Sequence, residues 1–386
     1  MTLDVPLDAP AVDLAPALPV PFLDLALTHT EIAAEVGDRL AAIMAGTSFV
    51  LGPEVARFEE EYAAFCGTGH CVGVGNGTDA IELALRAAGI GPGDEVIIPA
   101  NTFVATAEAV VQVGATVVLA DCRSDHLIDP YHVVTRLTRH TRALIGVDLY
   151  GQVADFGTLR AAVPDDVLLF EDAAQSQGAA RLGRSAGAFG VAAATSFYPG
   201  KNLGAYGDAG AVTTNRADLA ANLRALRNHG GVERYQHDQL GRNSRLDSIQ
   251  AAVLSIKLRR LRGWNEQRQA AAARYRELLS EHPVVELPEV APGNDHVWHL
   301  FVIKVPDRDQ VLAELAAAGI GAGIHYPAPI HRIKAFADLF VGERYREAEA
   351  AAERILSLPI FPGITAGQQE RVADVLIKAL GERRSG

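Results

Sequence analysis

The sequence predicts an α/β fold: a large domain with a mostly parallel sheet flanked by helices, plus a smaller C-terminal α+β domain. Three observations carry this. Short apolar runs alternate with helical patterns from about Cys71 to Thr214, which places helices on both faces of a parallel sheet. Beyond about Arg245 a long helix-forming stretch replaces the alternation, followed by a looser mixture of strands and helices. The 386 residues are enough for two such bodies.

Residues 1–20 are rich in Pro, Ala and Asp and read as a loosely held extension. The large domain is expected over 21–250 and the C-terminal domain over 251–386. Helices are expected from Thr30 to Ala45 and from Pro53 to Phe65. Cys71 to Gly75 reads as a strand. The next helix carries Ile81, Ala84, Leu85 and Ala88 at i, i+3, i+4, i+7 spacing, with Gly89 to end it. Glu95 to Ile98, Thr116 to Ala120, Ala143 to Val147 and Val167 to Phe170 are further strands, with helices at Phe103 to Val113 and Pro130 to Leu137. The runs at Ala143 and Val167 lack polar alternation, as strands buried on both faces do. Thr195 to Tyr198 and Ala211 to Thr214 look extended and flank a Gly/Pro-rich loop. Leu246 to Leu279 is a long or broken helix. Trp298 to Val305 and Ile320 to Ile324 read as strands; Gln310 to Ala318, Glu343 to Leu356 and Gly367 to Leu380 read as helices.

Composition excludes some functions. The chain is 49% hydrophobic and 21% charged, which supports a sizeable core. A net charge of −12 argues against a nucleic-acid partner and against attraction to anionic membranes. No apolar run approaches the ~20 residues of a membrane span, and the N-terminus lacks the order of a signal peptide. Cys66, Cys71 and Cys122 have neither zinc-ligand spacing nor the even number of a disulfide framework, so a cytoplasmic setting is expected. No metal is expected either, since His325 and His331 lack a matching carboxylate or cysteine spacing.

Lys201 is the candidate centre of the chemistry. It is the first of five lysines, against thirty arginines. An amine can lose its proton and bond to a carbonyl carbon, whereas a guanidinium stays charged. The other reading is a surface lysine in a Gly/Pro loop. Gly200-Lys201 is not a nucleotide-binding loop, because Asn202 replaces the Ser/Thr and Thr195 stands where the first glycine belongs. Two further segments bear on it. Gly75-Asn76-Gly77-Thr78-Asp79 is a glycine turn opening a helix, which makes either an anion site or a simple Thr or Asn cap. Asp172 ends an apolar strand, where it serves either as a partner for a protonated ring nitrogen or as a helix cap. A lysine, a buried aspartate and an anion-binding helix start together are what pyridoxal phosphate requires.

Six segments in order then resemble one family. They are Gly75 to Ala80, Pro99 to Phe103, Glu171 to Gln175, Ser196 to Ala205, Asn243 to Asp247 and Gly323 to Pro327. The chain from Phe22 to its last helix is similar to the DegT/DnrJ/EryC1/StrS sugar-nucleotide aminotransferases, which have the pyridoxal-phosphate transferase fold. The resemblance implies pyridoxal 5'-phosphate as cofactor, with pyridoxamine phosphate as intermediate. It makes Lys201 the residue bonded to the cofactor and Asp172 the partner of its ring nitrogen. Phe103 is implied to stack on the ring, and Gln175 to lie near the ring hydroxyl. Gly77, Thr78 and Ser196 are implied to hold the phosphate. Asn243 is implied to reach the phosphate in a neighbouring subunit, making a homodimer with shared sites.

In the implied reaction L-glutamate gives up its amino group and leaves as 2-oxoglutarate, and a keto-sugar nucleotide takes that group up. Lys201 moves the proton as base and then acid. The run after Lys201 and the Gly323 to Pro327 element are similar to members acting at C-3 of dTDP-3-keto-6-deoxyhexoses. Action at C-4 of a dTDP- or UDP-4-keto-6-deoxyhexose is the alternative. Tyr198, His325, Tyr326 and His331 are then expected near the sugar substrate; the other reading of the histidines is a Pro-stiffened loop. Three other identities compete: a dehydratase lacking the lysine, a non-catalytic regulator, and an enzyme of free amino acids. The last usually needs an arginine for a second carboxylate.

Overall fold

A computed structural model describes residues 19–233 and 235–381. The extension expected over residues 1–20 lies outside these, except for Pro19 and Val20. Val20 is buried and belongs to the folded body: its N–H donates to Gly319 O at 2.9 Å.

The chain opens with α1 (Leu25–Gly46), which starts ahead of the expected Thr30 because the Asp24 carboxylate caps it, accepting from Ala26 N–H at 2.9 Å. Then come α2 (Pro53–Cys66), β1 (His70–Val74), α3 (Gly77–Ala87), β2 (Glu95–Pro99), α4 (Val104–Gln112), β3 (Thr116–Ala120), α5 (Pro130–Arg136) and β4 (Thr141–Val147). Next are α6 (Phe156–Ala162), β5 (Leu168–Asp172), the short pair β6 (Ala180–Arg181) and β7 (Arg184–Ser185), β8 (Ala192–Ser196), β9 (Gly210–Thr214) and α7 (Ala217–Leu226). Helices α6 and α7 and the β6–β7 pair were not expected; each has too few turns or residues for a clear periodicity. Strand β8 begins earlier than the expected Thr195, since its first residues are alanines, which carry no strand signal.

The central sheet has the order β1-β9-β8-β5-β4-β2-β3. Only β9 runs antiparallel to its neighbours, so the sheet is mostly parallel. Successive residues of β2 feed opposite cores: Val96 and Ile98 pack with α3 and α4, and Ile97 with Val133 and Leu159 of α5 and α6. Both faces are thus buried, as the unbroken apolar runs require.

After the sheet come α8 (Ser248–Leu258) and α9 (Leu261–Leu279), a helix broken at Arg259 and Arg260. The remainder is β10 (Asn294–Asp295), β11 (Phe301–Lys304), α10 (Arg308–Ala317), α11 (Arg346–Arg354), β12 (Ile355–Leu358) and α12 (Ala366–Gly381). Two expectations are corrected here. Ile320 to Ile324 is not a strand but makes isolated bridges, Ile320 to Val20 and Gly323 to Ser357. The helix expected to Leu356 stops at Arg354. The apolar run Ile355 to Leu358, closed by Pro359, instead pairs antiparallel with β11.

A second core joins Tyr275 and Leu279 of α9, Phe301 and Ile303 of β11, Leu315 of α10, Leu358 of β12 and Leu376 of α12. Ala348 and Ala351 of α11 pack instead on the core of the large sheet. Among the described residues no helix is long and apolar enough to cross a membrane.

Candidate active site

A cavity of about 770 Å³ opens where β1, β2, β5 and β8 end. This is the carboxyl edge of the parallel strands, the ordinary place for a ligand in an open α/β sheet. Strand alternation decides what faces it. Glu171 points away, its carboxylate accepting from Gly187 N–H and Phe189 N–H, each at 2.8 Å. Asp172, next along β5, lines the cavity. Its carboxylate accepts from Thr106 Oγ1 at 2.9 Å and from Ala174 N–H at 3.2 Å. Burial pushes the Asp172 carboxyl up, while these hydrogen bonds and the Lys201 charge pull it back.

Lys201 sits half-buried in the opposite wall, in a tight loop. Lys201 N–H donates to Tyr198 O and Ala205 N–H to Phe197 O, both at 2.8 Å. A side chain at Gly204 would collide with the Pro199 carbonyl, so the loop needs its glycine. The Lys201 amine makes no hydrogen bond to any described residue. Burial pushes it down to about 8, against the opposing pull of Asp172.

The start of α3 forms a third wall. Asn76 is its cap, accepting from Asp79 N–H at 2.8 Å, which settles the Thr-or-Asn question and leaves Thr78 on the cavity surface. A Cβ at Gly77 would come within 2.5 Å of the Ser196 Cβ. Only glycine lets the end of β8 touch the start of α3, and so Gly77, Thr78 and Ser196 share one corner.

Phe103 precedes α4 and is 49% exposed, so it is not a core residue; its ring lies 5.1 Å from that of Tyr326. Gln175 accepts from Tyr150 N–H at 2.7 Å and donates to the Tyr326 hydroxyl at 3.0 Å. Burial pushes that hydroxyl up, and Asp172 adds to the shift. His325 also lines the cavity, with Nδ1 2.8 Å from Ser357 Oγ. Burial and the Lys201 charge push it down to about 4. Tyr198 stands at the mouth, 59% exposed.

Two expected residues lie elsewhere. His331 is buried 2.9 Å from Glu349 Oε1 and packs its ring 4.9 Å from Tyr345, so it does not line the cavity. Its place is fixed by α11, whose Glu349 draws it away. Asn243 bridges to Asn228 and also lies off the cavity of its own chain.

Three residues on the cavity wall or just behind it had no motif to announce them. Tyr150, with φ at 64°, positions Gln175 and donates its hydroxyl to the His325 carbonyl. His299 and Arg268 line the wall beside Lys201. His299 stands just before β11, but its strand-like surroundings read as ordinary core. Among the described residues no group of three His, Cys, Asp or Glu could hold a metal ion.

Residues 30–377 match the DegT/DnrJ/EryC1/StrS aminotransferase family model. The chain is 46% identical over 364 residues to the dTDP-3-amino-3,4,6-trideoxy-alpha-D-glucose transaminase of Streptomyces venezuelae, covering 92% of this chain and 95% of that one. It is 44% identical over 360 residues to the erythromycin biosynthesis sensory transduction protein EryC1 of Saccharopolyspora erythraea, covering 92% and 98%. A crystal structure of S. venezuelae DesV in complex with a ketimine intermediate superposes with a TM-score of 0.91 at 45% identity, over 93% of this chain and 98% of that one. The chain therefore belongs to the DegT/DnrJ/EryC1/StrS aminotransferase family.

Proposed function

We propose that this aminotransferase uses pyridoxal phosphate to move an amino group from L-glutamate to C-3 of a dTDP-3-keto-6-deoxyhexose. The observation that carries the reading is Lys201, an amine with no hydrogen bond to any described residue and pushed down to about 8, on the same cavity as the buried Asp172. The similar S. venezuelae transaminase supports the sugar class and the position aminated.

The residues fit the cofactor. The corner of Gly77, Thr78 and Ser196 is a cradle that a Cβ at position 77 would fill. There the α3 N–H groups and two hydroxyls would hold a phosphate. Asp172 would hold the ring nitrogen, Phe103 would cover one ring face, and Gln175 would stand near the ring hydroxyl. When bound, pyridoxal phosphate supplies an aldehyde for the amine and a ring that takes up electrons as a proton leaves the neighbouring carbon.

Lys201 Nζ then has two tasks. As a neutral amine it would bond to the aldehyde carbon, with water as the leaving group. Once the donor's amine had taken its place, the freed Nζ would accept the proton from the donor's α-carbon as base and give it back as acid. Asp172 keeps its negative charge directed at the ring by accepting from Thr106 and Ala174. Tyr198, at the mouth, and His325 and Tyr326, further in, are placed to meet the sugar. A regulator without chemistry would have no need of a cavity-lining lysine within the field of a buried aspartate.

The active unit in this reading is a dimer in which Asn243 completes the phosphate site of the second copy. Its place off its own cavity supports this. The same reading divides the chain into a cofactor-binding body over 21–250 and a C-terminal body over 251–386.

The visible spectrum of the purified protein tests the reading. A yellow band that bleaches with L-glutamate, and fails to form normally in Lys201→Ala, supports it. Assays on dTDP-3-keto-6-deoxyhexoses beside their 4-keto isomers would then give the position aminated. A protein that stays colourless with added pyridoxal phosphate overturns it.

A further inference from the structure

Arg268 of α9 is buried, only 3% exposed, yet it lines the cavity. Its Nη1 donates to three carbonyls: Trp298 O at 3.2 Å, His299 O at 3.4 Å and Ile360 O at 3.0 Å. Nε and Nη2 make no hydrogen bond to any described residue. No carboxylate among the described residues acts on the guanidinium. Burial alone pushes it down to about 10, so it stays charged at neutral pH. A buried cation without a counter-ion is costly. It is a natural place for an anion that arrives with a substrate.

The neighbouring groups cannot supply a second lasting positive charge. Asn202 donates through Nδ2 to Asn265 Oδ1 at 2.9 Å and to Val297 O at 3.0 Å. Its Oδ1 is therefore the acceptor for His299 Nδ1, at 3.1 Å, which places the His299 proton on Nδ1 and a lone pair on Nε2. Burial and the Lys201 and Arg268 charges push His299 well below its usual range, so the ring stays neutral. His325 is held neutral in the same way. Lys201, pushed down to about 8, must be a neutral amine to attack an aldehyde, so its charge is not a lasting one.

We propose that Arg268 is the carboxylate contact for the amino donor, through its free Nε and Nη2 edge. A planar carboxylate matches that edge. The cofactor phosphate has its own corner at Gly77, Thr78 and Ser196, and a nucleotide diphosphate is tested as the competing occupant. The assignment rests on the amino-donor half of the proposed reaction.

Glutarate, a dicarboxylate that cannot react, is the probe. Its affinity for the holoenzyme is measured by calorimetry, with wild type beside Arg268→Gln and with dTDP as a control ligand. Arg268→Gln should weaken glutarate about 10- to 100-fold, the scale of a lost charge-assisted pair, and leave dTDP binding unchanged. It should also raise the L-glutamate concentration that half-bleaches the cofactor band more than it lowers the limiting rate. Equal glutarate affinity in the two proteins, or no binding to wild type, overturns the assignment. So does a loss confined to dTDP. If Arg268→Gln does not fold, Arg268→Lys decides: it keeps the charge without the fork, so weaker glutarate binding supports the contact and unchanged binding overturns it. A wild-type spectrum indifferent to L-glutamate would sink the donor reading instead, while the glutarate result still judges Arg268.

Discussion

Lys201 and Lys257 are both pushed down to about 8, and in both the first cause is burial. Their surroundings differ. Lys257, on α8, is 5% exposed; its Nζ donates to Gly204 O at 2.7 Å and lies 4.8 Å from the centre of the Tyr206 ring. Lys201 borders an open cavity, makes no hydrogen bond to any described residue, and feels the charge of Asp172. A lowered pKa therefore does not mark a reactive amine by itself. Access and a vacant coordination sphere do. Lys257 is better read as the prop beneath the loop that presents Lys201, since Gly204 belongs to that loop.

Four experiments could break or sharpen this contrast. Lys201→Ala should give the largest loss, about 10,000-fold or more in turnover, because it removes both the bond to the cofactor and the proton carrier. Residual turnover near wild type would erase the distinction. Asp172→Asn should cost about 100- to 1,000-fold in kcat, the scale for losing one preorganised charge at a reacting centre. Steady-state assay of the folded variant reads it.

The third concerns pH. Only the neutral Lys201 amine attacks an aldehyde. Below about 8 its neutral fraction falls tenfold per pH unit. The rate at which the apoprotein takes up pyridoxal phosphate should thus rise with pH and level off above about 8. A rate still climbing toward the 10.5 of an ordinary lysine would show that Lys201 is not depressed. Stopped-flow absorbance follows it. The smallest expected effect is that of Lys257→Met. It strands the Gly204 carbonyl and should cost about 1–3 kcal/mol of stability, seen as a lower denaturation midpoint, with kcat close to wild type. A collapse of kcat at full stability would promote Lys257 from prop to participant.

Much of this was legible in the sequence, for identifiable reasons. Thr116 to Ala120 was readable because β-branched residues dominate the run, even though β3 lies at the sheet edge with Thr116 exposed. Lys201, Asp172 and Gly77 stood in short segments whose chemistry and order are distinctive. Arg268 was one arginine among thirty, and nothing local separates a buried guanidinium from a solvated one. His299 lay against a strand pattern that explained it as core. His331 was expected beside the sugar on the strength of the resemblance, whereas Glu349, 18 residues further on, holds it off the cavity. The misread end of α11 has a similar cause. Its alanines and charged residues favour a helix, and the pairing of Ile355 with Lys304 overrides the continuation.

That same junction has a mechanical consequence. Helix α11 ends at Arg354 and β12 begins at Ile355, with no residue between them. Ala351 and Ile355 lie in the core of the large sheet, and Leu356 in the C-terminal core. At this crossing a single peptide bond is the entire linker. A hinge needs a few residues free to absorb torsion, and here rotation would have to unravel a helix or unzip a strand. At this crossing the two cores are geared together rather than jointed. Any movement at this junction must therefore carry both cores along together.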